Sequence, residues 1–306
     1  MKRPGRRSLI ALVVATTLVP VGAFAFIRIG ASAIVTAPNA RRAPVESAAP
    51  PDATAFSVDV SSPTARISTW LFEPTAPRGT VFVLHGIRDS KASQLGWGRM
   101  LSRAGFRAVL VDSRGHGGST GDVLSYGVFE SHDLTQVADA IAARGKPLGR
   151  LGAMGSSYGG GTAIQWAGRD ARVRAVVAIA PFPSLRAITP DYLHRLVPVL
   201  GRLVPQALID AAIDRAGHDG GFDPDRASSF DALATTTAPV LIFHGEDDRH
   251  IPIHHSEAMA ARAPGRVTLV RFPSEDHDSI GGDRSGILGR RIPEFFAAKL
   301  TDGGAP

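Results

Sequence analysis

The segment Gly155-Ser156-Ser157-Tyr158-Gly159 has the residue types and spacing of a nucleophilic turn, because it fits the pattern G-x-S-x-G. The fit is to Ser157, since centring the pattern on Ser156 would require glycine at positions 154 and 158. The glycines allow a strand to turn sharply into a helix with the serine hydroxyl projecting. We therefore predict a nucleophilic serine at position 157, with a plain glycine-rich turn as the alternative.

A nucleophilic serine needs a histidine as base and a carboxylate that orients the histidine. In folds with this turn the three groups follow in the order serine, acid, histidine. The loop GEDDRHIP, residues 245–252, follows the predicted strand PVLIF, and PSEDHDSI, residues 273–280, follows RVTLVRF. The candidate acids Asp247 and Asp248 and the candidate base His277 are therefore expected at consecutive strand ends.

The elements that would position these residues form a regular alternation from residue 56 onward. Helical spacing with a terminal glycine occurs at residues 91–105, 129–145 and 158–168, which alternate with short apolar runs. This alternation predicts a parallel sheet covered by helices on both faces, with chemistry at the strand ends. The predicted strands are residues 80–86, 107–112, 150–155, 173–182, 239–245 and 266–272.

Three histidines offer a competing interpretation, since His250 and His254 would share a face of a helix as zinc ligands do, with His255 beside them. Pro252 lies between the first two, and no third ligand is evident. We therefore interpret all three as surface histidines and predict no metal. Trp70, Trp97 and Trp166 are expected to be packing residues, because no basic stripe accompanies them.

Composition narrows the classes of function. The 306 residues are 44% hydrophobic and 20% charged, with a net charge of +6. Seven of the 34 basic and two of the 28 acidic residues lie in residues 1–55, so the remaining 27 and 26 nearly cancel, and a nucleic-acid-binding face has no support. The absence of cysteine excludes disulfides and thiolate chemistry. No phosphate loop is present, so no cofactor is expected.

The N-terminus indicates export. Four basic residues precede the charge-free apolar run 9–27, which is long enough as a helix to cross a bilayer. Residues 1–35 are interpreted as a membrane anchor, or as a signal peptide cleaved after Ala23-Phe24-Ala25. Either places the remaining chain outside the cytoplasm, anchored in the first case and secreted or periplasmic in the second. The Ala- and Pro-rich residues 36–55 are interpreted as a linker.

From residue 56 to residue 306 the chain resembles the α/β-hydrolase superfamily, and is most similar to exported or membrane-anchored serine aminopeptidase-like and Bem46-like hydrolases. The resemblance rests on GSSYG together with LHG at 84–86, DSRGHGGST at 112–120, YGVFESHDL at 126–134, FHGEDDRHIP at 243–252 and EDHDS at 275–279. The expected fold is therefore a mostly parallel sheet with helices on both faces and a short helical cap, inserted at about residues 183–235.

The resemblance also implies roles for individual residues. Ser157 is similar to the nucleophile, Asp248 to the acid and His277 to the base, and the N–H groups of Ile87 and Tyr158 resemble the oxyanion hole. The superfamily pattern G-x-x-D, counted from Gly245, reaches Asp248 and treats Asp247 as a spacer. His85 and His116 shape loops in the family, and we expect structural roles for both.

These residues predict a serine hydrolase that cleaves a small ester-like substrate through an acyl-enzyme. A thioester or an amide remains open, as does an aminopeptidase, because cap and pocket shape decide specificity. The alternative from another class is a noncatalytic binding module that retains the fold. Apolar residues at helical spacing in 183–217 predict a cap that supplies an acyl pocket, with Leu196, Leu200 and Leu203 among its lining residues.

Overall fold

A computed structural model describes residues 18–301, which are built around one eight-stranded sheet. Its strand order is β1-β2-β4-β3-β5-β6-β7-β8. β1 pairs antiparallel with β2, and β2 with β4, whereas the remaining neighbours are parallel. The mostly parallel sheet predicted from the sequence is confirmed. The strands are β1 Thr54–Val60, β2 Ala65–Phe72, β3 Thr80–Leu84, β4 Arg107–Val111, β5 Leu151–Ser156, β6 Val173–Ile179, β7 Val240–Gly245 and β8 Val267–Phe272.

Nine α-helices lie within the described residues. They are α1 Val19–Val35, α2 Leu95–Arg103, α3 Val128–Ala143, α4 Tyr158–Arg169, α5 Leu185–Leu196, α6 Gln206–Gly220, α7 Ser229–Thr235, α8 His254–Arg262 and α9 Ile287–Leu300. One face of the sheet packs against α3, α4, α7 and α8, and the other packs against α2 and α9. Trp166 and Trp70 are buried in these two cores, and Trp97 packs against the second, as expected.

The central strands are apolar on both sides because helices cover both faces of the sheet. Every residue of β3 and β4 is buried, including Arg107, whose guanidinium pairs with Glu73. Parallel strands with covered faces leave their carboxyl ends as the open edge where loops can carry chemistry. The loops that hold Ile87, Ser157, Asp248 and His277 all leave this edge.

The segment predicted as a linker is packed on the domain, which corrects that interpretation. Asn39 is buried, and its amide donates to the carbonyl oxygens of Gly117 and Ser119, both at 3.0 Å. Glu46 lies 2.7 Å from the Nζ atom of the fully buried Lys91. Specific polar contacts of this kind, which an Ala- and Pro-rich composition does not reveal, hold the segment in place, and β1 begins at Thr54 inside it.

Helix α1 also belongs to the folded structure. Its residues Ala31 and Val35 are buried against α6, and the Tyr126 hydroxyl donates to the carbonyl oxygen of Ile34 at 3.0 Å. Between residues 18 and 301, no helix combines the length and apolarity needed to cross a membrane. The first half of the apolar run, residues 9–17, lies outside the described residues.

Three helices, α5, α6 and α7, lie between β6 and β7, in the region predicted to insert a helical cap. Ser184 caps α5 by accepting a hydrogen bond from the N–H of Ala187. Helix α5 carries Ile188 and Tyr192 into a cluster with Tyr158 and Phe182, which follow the strand ends. Because Tyr158 directly follows Ser157, this contact places α5 over the serine.

Candidate active site

Ser157 occupies the junction between β5 and α4 with a strained backbone. Its φ of 53° and ψ of −115° are unusual for a residue with a side chain, and its N–H donates to the carbonyl oxygen of Ile179 at 2.7 Å. A Cβ at Gly155 would lie 2.4 Å from the carbonyl carbon of Gly159, and one at Gly159 would lie 2.6 Å from the carbonyl oxygen of His85. Neither position can hold a larger residue, which explains the glycines of the motif.

The loop after β3 lies beside this turn. A Cβ at Gly86 would come within 3.9 Å of the Ser157 Cβ, so the following residue, Ile87, begins next to the serine. Tyr158 is the first residue of α4, and its N–H therefore has no acceptor within the helix. The two residues predicted to supply the oxyanion hole, Ile87 and Tyr158, thus both begin next to Ser157.

His85 fixes the shape of that loop. Its Nδ1 lies 2.7 Å from the carbonyl oxygen of Gly86, and its Nε2 accepts from the N–H of Ser113 at 3.0 Å. With Nε2 accepting, the ring is neutral and its proton lies on Nδ1. Burial lowers the pKa of His85 and holds it in this form. The structural role expected for His85 is therefore to hold Gly86 and Ile87 in place.

Asp248 and His277 are joined by a short hydrogen bond. His277 Nδ1 lies 2.7 Å from Asp248 Oδ2, and the other carboxylate oxygen accepts from the N–H groups of His250 and Ile251, both at 2.8 Å. Burial acts to raise the pKa of Asp248, but hydrogen bonds with His244 and His277 outweigh it, so the pKa lies below its ordinary value. The carboxylate is thus charged and rigidly oriented towards the imidazole.

Asp247 points elsewhere. It is exposed, and its N–H donates to the carbonyl oxygen of Glu275 at 3.1 Å. Asp248 also contacts His244 Nε2 at 3.4 Å, an interaction that the sequence did not indicate because His244 lies within the predicted strand. The loop therefore presents one of the two adjacent carboxylates to His277.

The motif DSRGHGGST supports the site without entering it. Asp112 accepts from the backbone N–H of Lys91 and from its Nζ, both at 2.6 Å, and Arg114 makes a paired hydrogen bond with the Asp133 carboxylate at 2.6 and 2.7 Å. Burial, with a smaller effect of the nearby His85, lowers the pKa of His116 to about 4, so its ring is neutral. These buried polar groups hold the loops behind the serine.

The segment between β6 and β7 does not bury the leucines predicted to line an acyl pocket. Burial raises the pKa of Tyr192 on α5, whereas Arg195 and the Ser157 side chain act to lower it. Ser157 is only 7% exposed. In contrast, Leu196, Leu200 and Leu203 are 72%, 65% and 74% exposed, so the prediction that they line an acyl pocket is wrong. Helical spacing identified an apolar face but not which side of it meets the sheet.

The histidines interpreted as surface residues have three different environments. The His250 ring lies beside that of His277, with ring centroids 5.0 Å apart. His254 is exposed, whereas His255 is buried and its Nε2 lies 2.7 Å from Asp191 Oδ2. The surface interpretation is therefore wrong for His255. Its partner was missed because Asp191 lies 64 residues earlier in the chain, on α5.

Comparison with known proteins agrees with this architecture. The family model Hydrolase_4, described as serine aminopeptidase, S33, matches residues 75–229. The chain is 29% identical over 216 residues to the bifunctional esterase/perhydrolase DCH of Acinetobacter calcoaceticus, covering 57% of this chain and 76% of that protein. It is 26% identical over 198 residues to the uncharacterized protein YqkD of Bacillus subtilis, covering 65% of this chain and 64% of that protein. The chain thus spans just under two thirds of YqkD.

Among solved structures, the esterase Pf2001 of Pyrococcus furiosus superposes with a TM-score of 0.65. The superposition covers 84% of this chain and 97% of the esterase, at 18% sequence identity. At that identity the similarity establishes the fold alone. The arrangement of strands and helices described above is therefore that of an α/β hydrolase.

Proposed function

Because the chain belongs to the serine aminopeptidase S33 family of α/β hydrolases, we propose that it hydrolyses carboxylic esters through an acyl-enzyme on Ser157. The observation that carries this proposal is the hydrogen-bonded Asp248–His277 pair, which lies on the same sheet edge as the strained serine. A histidine oriented by a buried carboxylate is the base that a serine nucleophile needs. Membership of this family already indicates that the protein is a hydrolase.

In the proposed mechanism each group has a separate step. With its Nδ1 proton donated to Asp248, His277 has Nε2 free to accept the hydroxyl proton of Ser157. The serine oxygen then attacks the ester carbonyl, and the N–H groups of Ile87 and Tyr158 stabilise the oxyanion. His277 returns the proton to the leaving alcohol, after which water repeats the attack on the acyl-enzyme.

An ester is favoured over an amide by one relative: the Acinetobacter protein is named an esterase/perhydrolase. The family description, serine aminopeptidase, keeps an amide substrate as the second candidate. A binding module without activity is disfavoured because the serine, the acid and the histidine are all present, and the acid and histidine are already hydrogen-bonded.

A fluorophosphonate probe tests this proposal. We expect the purified full-length protein to be labelled at Ser157, because a serine with an oriented histidine attacks phosphorus as it attacks an ester. Labelling is read by mass spectrometry of the peptide that contains residues 155–159. A panel of p-nitrophenyl esters of increasing acyl length and of aminoacyl p-nitroanilides then distinguishes the two bond types.

Two results would contradict the proposal. Intact protein that is neither labelled nor active on any ester would indicate a binding module. Hydrolysis of anilides with no ester turnover would replace esterase by aminopeptidase.

For the location of the protein, we propose that the N-terminal segment associates with a membrane and that the hydrolase domain lies outside the cytoplasm. The apolar run 9–27 follows four basic residues, and basic residues remain on the cytoplasmic side. The described part of this run ends in α1, whose large apolar side chains Val19, Val21 and Phe24 are exposed. Apolar side chains on a helix are stabilised when they enter lipid.

The exposed residues Leu196, Leu200 and Leu203, which precede α6, lie at the end of the molecule where α1 begins. A Cβ at Gly30 would lie 3.2 Å from Ala212 Cβ, and one at Gly220 would lie 2.7 Å from Val35 Cγ2. Contacts that advance together along both helices mean that α1 and α6 run parallel. The beginning of α1 therefore lies beside the beginning of α6. We call the resulting surface the apolar end; its residues are Leu18, Val19, Val21, Phe24, Leu196, Val199, Leu200 and Leu203, all exposed.

The absence of native cysteine permits a direct test of this orientation. A single cysteine placed by Leu200→Cys carries an environment-sensitive dye, and its emission should shift to the blue when full-length protein is reconstituted in lipid vesicles. The matched control is Val45→Cys. Val45 is 66% exposed, but it follows the far end of α1, a 17-residue helix that is roughly 25 Å long. We expect no shift at position 45.

Cell fractionation tests the location itself. Full-length protein should remain with membranes through a salt wash, and external protease should cleave the domain. Equal dye shifts at positions 45 and 200 would contradict the apolar end as a membrane contact. Recovery of a chain beginning near Phe26 from the soluble exported fraction would show that the segment is a cleaved signal.

A further inference from the structure

We propose that Asp191, His254 and His255 form a binding site for a transition metal ion of the zinc type, joining α5 to α8. One ligand atom from each of these residues lies within 4.8 Å of the other two. His255 Nε2 and Asp191 Oδ2 are already 2.7 Å apart. The site is separate from Ser157 and does not depend on the proposed hydrolase activity.

The spacing of the ligand atoms suits a single ion. Zinc bonds of about 2.0–2.1 Å in tetrahedral geometry place ligand atoms roughly 3.3 Å apart. The Asp191–His255 contact is shorter than this, so the two side chains must move slightly apart to admit an ion. The two histidine rings lie side by side, with centroids 4.1 Å apart, although they are consecutive in the chain.

The ligand types select the class of ion. Two imidazoles and one carboxylate suit Zn²⁺, Co²⁺, Ni²⁺ or Cu²⁺, whereas Mg²⁺ and Ca²⁺ require mostly oxygen ligands. Three protein ligands leave a fourth position for water. Ligation through Nε2 places the His255 proton on Nδ1, and the Asp191 carboxylate then bonds the ion in place of the imidazole N–H.

The three ligand residues differ in their exposure to solvent. His255 is buried and Asp191 is partly buried, and their hydrogen bond already joins α5 to α8, whereas His254 is exposed and leaves an entry path. The ion would replace this one hydrogen bond between the two helices by three coordinate bonds. Ion binding should therefore stabilise the position of α5 relative to α8.

Both helices that form the proposed metal site, α5 and α8, also contact residues around Ser157. Tyr192, next to Asp191, packs against the cluster that contains Tyr158, the residue after Ser157. Ser256, next to His255, hydrogen-bonds with His244 at 2.6 Å, and His244 contacts Asp248 at 3.4 Å. An ion at this position would fix the helix that covers the serine.

The test uses tag-free full-length protein from which metal has been removed with a chelator. Titration calorimetry should show one Zn²⁺ per chain with micromolar or tighter affinity. At a hundredfold excess of free Zn²⁺ over its Kd, the Tm should rise by roughly 5 °C for a domain of this size. Mg²⁺ at the same concentration should leave the Tm unchanged.

Variants assign the effect to these residues. His254→Ala removes an exposed ligand and leaves the Asp191–His255 hydrogen bond intact, so the protein should fold with a normal Tm and bind Zn²⁺ roughly 100-fold more weakly. The matched control His218→Ala removes an exposed histidine of α6 and should bind as the native chain does. Undiminished affinity in His254→Ala, or no binding by the native chain, would overturn the proposal.

Discussion

Replacing Ser157 by alanine is expected to lower ester turnover by about 10⁶-fold, the scale seen when a serine protease loses its nucleophile. The alanine side chain has no oxygen to form the acyl-enzyme, while the N–H groups of Ile87 and Tyr158, which we propose bind the oxyanion, remain. The KM should change much less than kcat, since the substrate still binds. Initial rates with an activated ester, at protein concentrations high enough to detect the residual rate, measure the loss.

The neighbouring serine provides the matched control. Ser156 is the last residue of β5, and we expect Ser156→Ala to retain turnover within tenfold of the native enzyme. Thermal unfolding of both variants should remain cooperative. If Ser156→Ala abolished activity while Ser157→Ala retained it, the nucleophile would be misassigned.

Replacing Asp248 by asparagine is expected to reduce turnover by about 10⁴-fold, as the equivalent change does in a serine protease. The amide keeps the shape of the carboxylate but no longer stabilises the histidine when it becomes positively charged. It also presents an N–H group that favours the wrong tautomer of His277. The hydrogen bonds from the N–H groups of His250 and Ile251 to Asp248 Oδ1 can still be accepted by the amide oxygen, so the loop should keep its fold.

Asp247→Asn separates this effect from a general loss of negative charge. Because Asp247 is exposed and only its backbone N–H is hydrogen-bonded, we expect less than a tenfold change in turnover. Steady-state kinetics of both variants, with folding checked by circular dichroism, give the comparison. A severe loss in Asp247→Asn with near-native Asp248→Asn would reverse the assignment of the acid.

The sequence predicts the parallel part of this sheet well because its signals are local. Buried strands such as β3 and β7 are mostly apolar runs with a His-Gly pair at or directly after the end, and each is followed by a loop with a distinct composition. The proximity of Asp248 and His277 follows from the order of the strands alone. Side-chain chemistry at strand ends can therefore be predicted without knowledge of packing.

Contacts made across long stretches of chain were not predictable in this way. The antiparallel strands β1 and β2 were not identified, because they pair at the edge of the sheet and β1 begins inside a segment of linker-like composition. The Asp191–His255 contact joins the inserted helix α5 to α8, and its partners carry no shared spacing. The direction in which Leu200 and Leu203 point was misjudged for the same reason, since helical periodicity does not say which neighbour a face meets.

The residues of α1 that are buried against the domain lie in the second half of the helix, and this has a consequence for proteolytic processing. Its buried residues, Ala31 and Val35, lie after the small-residue pattern at 23–25, while Leu18, Val21 and Phe24 lie before its end. In the proposed membrane orientation, cutting after Ala25 would remove much of the half of α1 that faces lipid and leave Ala31 and Val35 packed against α6. Cleavage of one peptide bond would then convert the proposed tethered hydrolase into a diffusible one with the same folded domain.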